Sequence, residues 1–197
     1  MMKNTMIWMQ ENWPSAAPFL AVFSLVTLLA FRPYMDTAIF LIWLQTPVYF
    51  LHQSEEYIFP GGFLKYFNRQ VLGSKQDAFP LTMAASLWIN VPVVFVAFPA
   101  TAILTMQFGV SIGLWTAYFS IINAASHVGM FFKNGYNPGF VVSVVLNIPV
   151  GAFALWYLAS NGLTSMPAHM IALAIALAVQ GGLMAYGFLE LKPKLDL

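Results

Sequence analysis

The stretch FLHQSEEYIF, residues 50–59, places a histidine and two adjacent glutamates inside a strongly apolar part of the sequence. His52, Glu55 and Glu56 are spaced by three and four residues, so they lie on one face of a helix. Ionisable groups inside a membrane are costly and usually functional. We therefore predict that all three are catalytic groups or metal ligands, although Glu56 is nearest the end of the stretch and can also reach the membrane interface.

A second apolar stretch supplies a partner for this face. Residues 123–127 read NAASH, so Asn123 and His127 lie one helical turn apart. If this helix faces the first one, it completes a site of two histidines, His52 and His127, with one or two carboxylates. Nitrogen and oxygen ligands without sulfur are typical of zinc, iron or manganese. The sequence thus predicts a metal-dependent enzyme, in which an open metal position would activate water.

The same groups are also compatible with other functions. Two adjacent carboxylates in a low-dielectric site cannot both ionise cheaply, so one would keep its proton and, beside a histidine, form an acid–base pair. That pair suits the isomerisation of a lipid or sterol-like substrate without metal. Intramembrane His and Glu also relay protons in transporters, although the sequence shows no inverted repeat. Buried polar groups can, finally, serve only to fix helix packing.

The composition indicates what must hold these groups. The chain has 197 residues, of which 60% are hydrophobic and 8% charged, whereas about a quarter are charged in soluble domains. Its net charge of +1 argues against a nucleic-acid partner, and the absence of cysteine excludes a thiolate metal site. Since open sheet edges do not survive in lipid, we predict an all-α, polytopic integral membrane bundle forming a single domain, residues 1–197.

Six stretches are long and apolar enough to be predicted as membrane spans. They cover residues 16–31, 36–59, 80–107, 110–132, 139–159 and 168–189. This count places seven basic residues on one side of the membrane, namely Lys3, Lys65, Arg69, Lys75, Lys133, Lys192 and Lys194. Arg32 alone lies on the other side, so the positive-inside rule predicts that both termini are cytoplasmic.

The predicted location determines the partners that we expect. A bundle of this orientation belongs in the plasma (inner) membrane of a bacterium, with the lipid bilayer and a lipophilic small-molecule substrate as its partners. The sequence leaves open whether the chain forms a homo-oligomer.

Further polar residues are expected near the site. At 1.5 Å per residue, His52 and His127 lie roughly 10 Å inside the cytoplasmic ends of their helices. The motif YNPG, residues 136–139, has turn chemistry and could also line the entrance to the site. The residues that we predict to support the site are Asn90, Asn123, Asn147, Tyr136 and Asn137.

The motifs HQSEE, NAASH and YNPG, in that order, resemble the HxxEE-domain family of small multi-span membrane proteins. The resemblance extends over about residues 36–148. It implies that His52, Glu55 and Glu56 are the signature positions of the family. It implies no reaction, because the family has no settled biochemical function. A looser likeness exists to membrane-embedded sterol isomerases, which also gather His, Glu and Asn within a helical bundle.

Overall fold

The computed structural model describes residues 2–195, with side chains from residue 4 onward. Lys3, counted above for the orientation, therefore has its side chain outside the described part. All regular elements within residues 2–195 are helical, which confirms the predicted all-α class. The α-helices are α1 Met2–Asn12, α2 Ala16–Phe31, α3 Thr37–Tyr57, α4 Phe63–Tyr66, α5 Met83–Asn90, α6 Phe98–Phe108, α7 Leu114–Asn134, α8 Phe140–Val142, α9 Ile148–Ser160 and α10 Met166–Ala185.

Wider, π-helical turns join several of these helices into longer ones. Val91–Ala97 connects α5 to α6, Ser143–Asn147 connects α8 to α9, and Tyr186–Leu191 continues α10. Pro92 lies inside the first segment and Pro149 follows the second. A proline lacks the N–H of the regular helical hydrogen bond, and a wider turn accommodates that loss.

Four helical stretches are long and apolar enough to cross a membrane. They are Asn4–Tyr34, Met83–Phe108, Phe140–Ser160 and Met166–Leu195. Large apolar side chains such as Phe19, 78% exposed, and Met170, 66% exposed, point away from the protein. This apolar outer surface is the one expected of an integral membrane protein.

Two predicted helices begin at different residues from those expected. The third predicted span was to begin at residue 80, but α5 begins at Met83 because the Thr82 hydroxyl accepts a hydrogen bond from the Ala85 N–H at 3.1 Å. The last begins at Met166, since Ser165 is its N-cap and accepts from Ala168. Such caps satisfy N–H groups that have no partner in the first helical turn.

Helices α3 and α7 are 21 residues each and lie in the interior of the bundle. Helix α3 packs against α2, α6, α7 and α9, whereas α7 packs against α9 and α10. Neither α3 nor α7 is among the four stretches that are both long enough and apolar enough to cross a membrane. The structure thus supports four spans by composition, and the six-span count and the orientation remain predictions.

Candidate metal centre

Three buried side chains from α3 and α7 converge on one point. The Glu56 Oε1 atom lies 3.6 Å from His52 Nε2 and 3.5 Å from His127 Nε2. Each of the three residues is at most 4% exposed. One ligand atom from each lies within 4.8 Å of the other two. His52 and Glu56 are one helical turn apart on α3, and the packing of α7 against α3 adds His127.

The tautomer of His127 is determined by Asn137. The Asn137 side-chain N–H₂ donates to the His127 backbone carbonyl at 2.9 Å, and a carbonyl can only accept. The Asn137 Oδ1 atom therefore faces His127 Nδ1, at 2.7 Å. In the neutral ring Nδ1 carries the proton and donates it to Asn137, so that the Nε2 lone pair points toward Glu56.

This arrangement brings acceptor atoms together and requires a cation between them. A His127 Nε2 lone pair and a carboxylate oxygen repel each other at 3.5 Å unless a proton or metal ion lies between them. Zinc at its usual bond lengths to His and Glu would separate ligand atoms by ~3.3 Å in a tetrahedron. The two measured separations are close to this value, and His52 Nε2 has no hydrogen-bond partner. The residues present thus fit a divalent metal ion.

Other polar contacts hold the ligand side chains in place. The Gln53 side-chain N–H₂ donates to Glu56 Oε2 at 2.8 Å, which leaves Oε1 directed at the histidines. His52 Nδ1 lies 3.4 Å from Ser143 Oγ, in the π-helical segment before α9. Such outer contacts orient metal-ligating side chains.

Gly139 allows the backbone to approach both imidazole rings closely. A Cβ atom at this position would lie 2.6 Å from His127 Cε1 and 2.9 Å from His52 Cε1. Its φ of +97° is also one that residues with a side chain rarely adopt. Glycine is therefore required here for steric and conformational reasons.

Glu55 lies outside the three-residue cluster, although its spacing from His52 predicted that it is a ligand. Its carboxylate accepts hydrogen bonds from the backbone N–H groups of Val141 at 3.0 Å and Val142 at 2.7 Å, and from the Tyr136 hydroxyl at 3.0 Å. These N–H groups belong to the first turn of the helix that begins at Phe140, where a negative charge is stabilising. Glu55 thus anchors α8 to α3.

Glu56 is the carboxylate that the structure places at the centre. The expectation that it could reach the membrane interface is not met, because the residue is only 4% exposed and contacts both histidines. A shift of one residue along a helix turns a side chain by about 100°. The two adjacent glutamates therefore contact different elements.

Tyr136 is the side-chain donor among the Glu55 contacts, and the residue is 47% exposed. Partial burial, together with its hydrogen bond to Glu55 and the charge of that carboxylate, raises the pKa of Tyr136 to about 12. The hydroxyl therefore remains a donor throughout the neutral range. Tyr136 and Asn137 were expected to be turn residues that could line an entrance, and the structure shows them holding Glu55 and His127.

The other predicted supporting residues lie outside the cluster. Asn90 donates to the Tyr57 hydroxyl oxygen at 3.1 Å, and Asn123 donates to Gln180 at 3.4 Å. Asn147 is fully buried, and neither of its side-chain polar atoms has a hydrogen-bond partner. Gln53, Ser143 and Gly139 were not among the predicted site residues. Gln53 contacts Glu56 within α3 at a three-residue spacing that the sequence itself shows. Ser143 and Gly139 contact the histidines only because the segments around α8 pack against α3 and α7.

A cavity of about 90 Å³ adjoins the cluster. Glu56, Gln53 and two further residues of α3 form part of its wall. The remaining wall comes from α5, α7, α10 and the π-helical segments that extend α5 and α10, together with Phe63, Phe67 and Leu81. Most of the lining side chains are apolar or aromatic, as in pockets for small organic ligands. Glu56 thus has histidines on one side and a cavity on the other.

The fold and this cluster define an all-helical protein with a buried His-Glu-His cluster and with four helical stretches long and apolar enough to span a membrane. Residues 43–154 match the family described as "protein of unknown function with HXXEE motif". Because the match covers more than half of the chain, the protein belongs to this family, which confirms the predicted resemblance. No curated protein and no solved structure matches the chain.

Proposed function

We propose that the protein is a membrane-embedded metalloenzyme that acts on a lipophilic substrate. In this proposal His52, Glu56 and His127 hold one divalent ion, zinc being the best fit to two imidazoles and one carboxylate. When bound, such an ion supplies a Lewis acid and an activated water. Glu55 has a structural role, because it binds the backbone N–H groups in the first turn of the helix that begins at Phe140 and so fixes that helix to α3.

The observation that carries the proposal is the relationship between Asn137, His127 and Glu56. Asn137 turns the Nε2 lone pair of His127 toward a carboxylate oxygen, 3.5 Å away and buried from solvent. If these residues served only for helix packing, two acceptor atoms facing each other, His127 Nε2 and Glu56 Oε1, would not stabilise the fold. A metal site, in contrast, uses both atoms as ligands. The adjoining cavity gives a substrate access to the same carboxylate.

We further propose six spans with both termini cytoplasmic, α3 and α7 being interior spans shielded from lipid by the other four. Contacts in the structure support this arrangement. The ends of α4 and α7 meet through Tyr66 and Asn134, and Lys75, Lys192 and Lys194 line one depression. Most of the basic residues thus lie at one end of the bundle, as the positive-inside rule requires of a cytoplasmic face.

Elemental analysis of the purified full-length protein tests the metal site. We expect about one equivalent of metal in the wild type, and little in the His52→Ala and His127→Ala variants. His169→Ala is the matched control, because His169 contacts Thr164 and Tyr118, away from the centre. Metal-free wild-type protein that gains no thermal stability from added zinc, iron or manganese would contradict the proposal.

A second candidate function replaces the metal ion by a proton. The same observation favours it, since a proton on His127 Nε2 also satisfies the Glu56 carboxylate. The centre would then be an acid–base pair that isomerises a lipophilic substrate. The elemental analysis separates the two candidates, because the first requires about one equivalent of bound metal and the second requires none.

A further inference from the structure

The cavity beside Glu56 is lined by both polar and apolar side chains. Its polar lining includes Gln53, Glu56, Asn90, Asn123 and Gln180. Its apolar lining includes Val94, Phe119, Leu183 and Leu191. A volume of about 90 Å³ holds several water molecules or the polar end of a larger molecule.

Two buried atoms at this cavity have no hydrogen-bond partner, and both are acceptors. They are Gln53 Oε1 and Asn123 Oδ1. The orientation of the Gln53 amide follows from its contact with Glu56, since its N–H₂ group must be the donor to that carboxylate. Leaving such an atom buried and unpaired is costly. Since Gln53 and Asn123 both line the cavity, a ligand with an O–H group can pair with either oxygen once that side chain turns toward it.

The charge of the lining restricts the ligand further. No lysine, arginine or histidine occurs among the described residues that line the cavity, and Glu56 contributes a carboxyl group. A phosphate or carboxylate group would have no cationic side chain in this lining to pair with, and would lie beside that carboxylate. In metal-free protein an anionic lipid headgroup is thus disfavoured, whereas a neutral group with O–H donors fits.

We propose that the cavity binds the hydroxyl end of a lipophilic alcohol, with the hydroxyl donating to Asn123 or Gln53 and the carbon chain lying along Val94 and Phe119. This inference deepens the proposed function, on which it rests, by naming the substrate class. It places the hydroxyl in the cavity whose wall Glu56 shares with the candidate metal centre.

Photolabelling of the purified full-length protein tests the inference. The probes are a diazirine-bearing 16-carbon primary alcohol, its methyl ether, and the corresponding fatty acid. We expect the alcohol to label cavity peptides about tenfold more than the ether, since an unpaired buried acceptor costs that much in binding. In protein freed of metal by a chelator, the fatty acid should label at background level. Equal labelling by alcohol and ether in the wild type would overturn the inference.

Variants assign the preference to the cavity. Asn123→Leu should reduce the alcohol-over-ether ratio toward one, and the matched control Asn161→Leu, at an exposed loop position, should leave it unchanged. An unchanged ratio in Asn123→Leu would count against the inference. Should that variant fail to fold, the wild-type comparison of the two probes remains decisive.

The two proposals fail in distinguishable ways. If the protein contains stoichiometric metal but labels equally with alcohol and ether, the metal centre is supported and the alcohol site is contradicted. If wild-type protein contains no metal but prefers the alcohol over the ether tenfold, the alcohol site is supported and the metalloenzyme is contradicted.

Discussion

Asn137 contacts His127 twice, through its side-chain oxygen to Nδ1 at 2.7 Å and through its side-chain nitrogen to the backbone carbonyl at 2.9 Å. His127 lies inside α7, and Asn137 lies in the turn between α7 and α8. This pair of hydrogen bonds fixes both the ring orientation and the tautomer of His127. The following predictions depend on this contact and its neighbours.

Asn137→Ala should weaken metal binding about 10- to 100-fold, the usual cost of removing a group that orients a histidine ligand. Competition with a chelator of known affinity measures the change. Asn134→Ala is the control, because Asn134 lies in the same region but is exposed and contacts Tyr66. Equal affinities of the two variants would show that Asn137 does not orient a ligand.

Gly139→Ala should abolish metal binding, because the added Cβ would displace both imidazole rings. Gly135→Ala is a matched control, since Gly135 also has a positive φ, +78°, but a Cβ there would meet nothing within 4 Å. Both variants should lose about 1 kcal/mol of stability from backbone strain. Thermal unfolding measures the backbone strain in both variants, and metal content measures the displacement of the imidazole rings. Metal retained in Gly139→Ala would refute the steric argument.

The two adjacent glutamates should differ when each is changed to glutamine. Glu56→Gln should lose the metal, since the substituted amide is a much poorer ligand than a carboxylate. Glu55→Gln should keep the metal but lose about 1–3 kcal/mol of stability, because the amide satisfies the N–H groups of Val141 and Val142 less well. Elemental analysis and thermal unfolding in detergent measure the two effects. The reverse pattern would place Glu55 at the centre.

Tyr136→Phe should cost about 0.5–1.5 kcal/mol and leave the metal content unchanged, since two backbone donors to Glu55 remain. The folded-state pKa of Tyr136, about 12, is raised above the ordinary value of 10. The hydrogen bond therefore contributes fully below about pH 10 and is lost as the pH rises toward 12. The difference in unfolding temperature between wild type and variant should accordingly be constant from about pH 6 to 9; a difference that vanished within this range would be contrary evidence.

Cysteine labelling tests the orientation, because the sequence contains no cysteine of its own. Gln76→Cys lies in the exposed loop before α5, and Asn161→Cys lies in the loop between α9 and α10. In intact cells a membrane-impermeant maleimide should label residue 161 and not residue 76. Labelling of residue 76 alone would reverse the orientation, and labelling of both or neither would contradict the six-span count.

The sequence alone determined those features that depend on composition and on short-range spacing. An apolar content of 60%, with 8% charged residues, indicates a helical membrane protein. The four-residue spacing of His52 and Glu56 places them on one helical face, because helix geometry is local. The ordered motifs also sufficed to predict the family.

Tertiary structure decided which residues contact each other across helices. The rotation of α3 relative to α7 and α8 directs Glu56 toward the histidines and Glu55 toward the backbone of α8. The turn between α7 and α8 then brings Asn137 and Gly139 against His127, a role that their turn chemistry does not reveal. Helix periodicity specifies a face, but only the packing of neighbouring helices determines what that face meets.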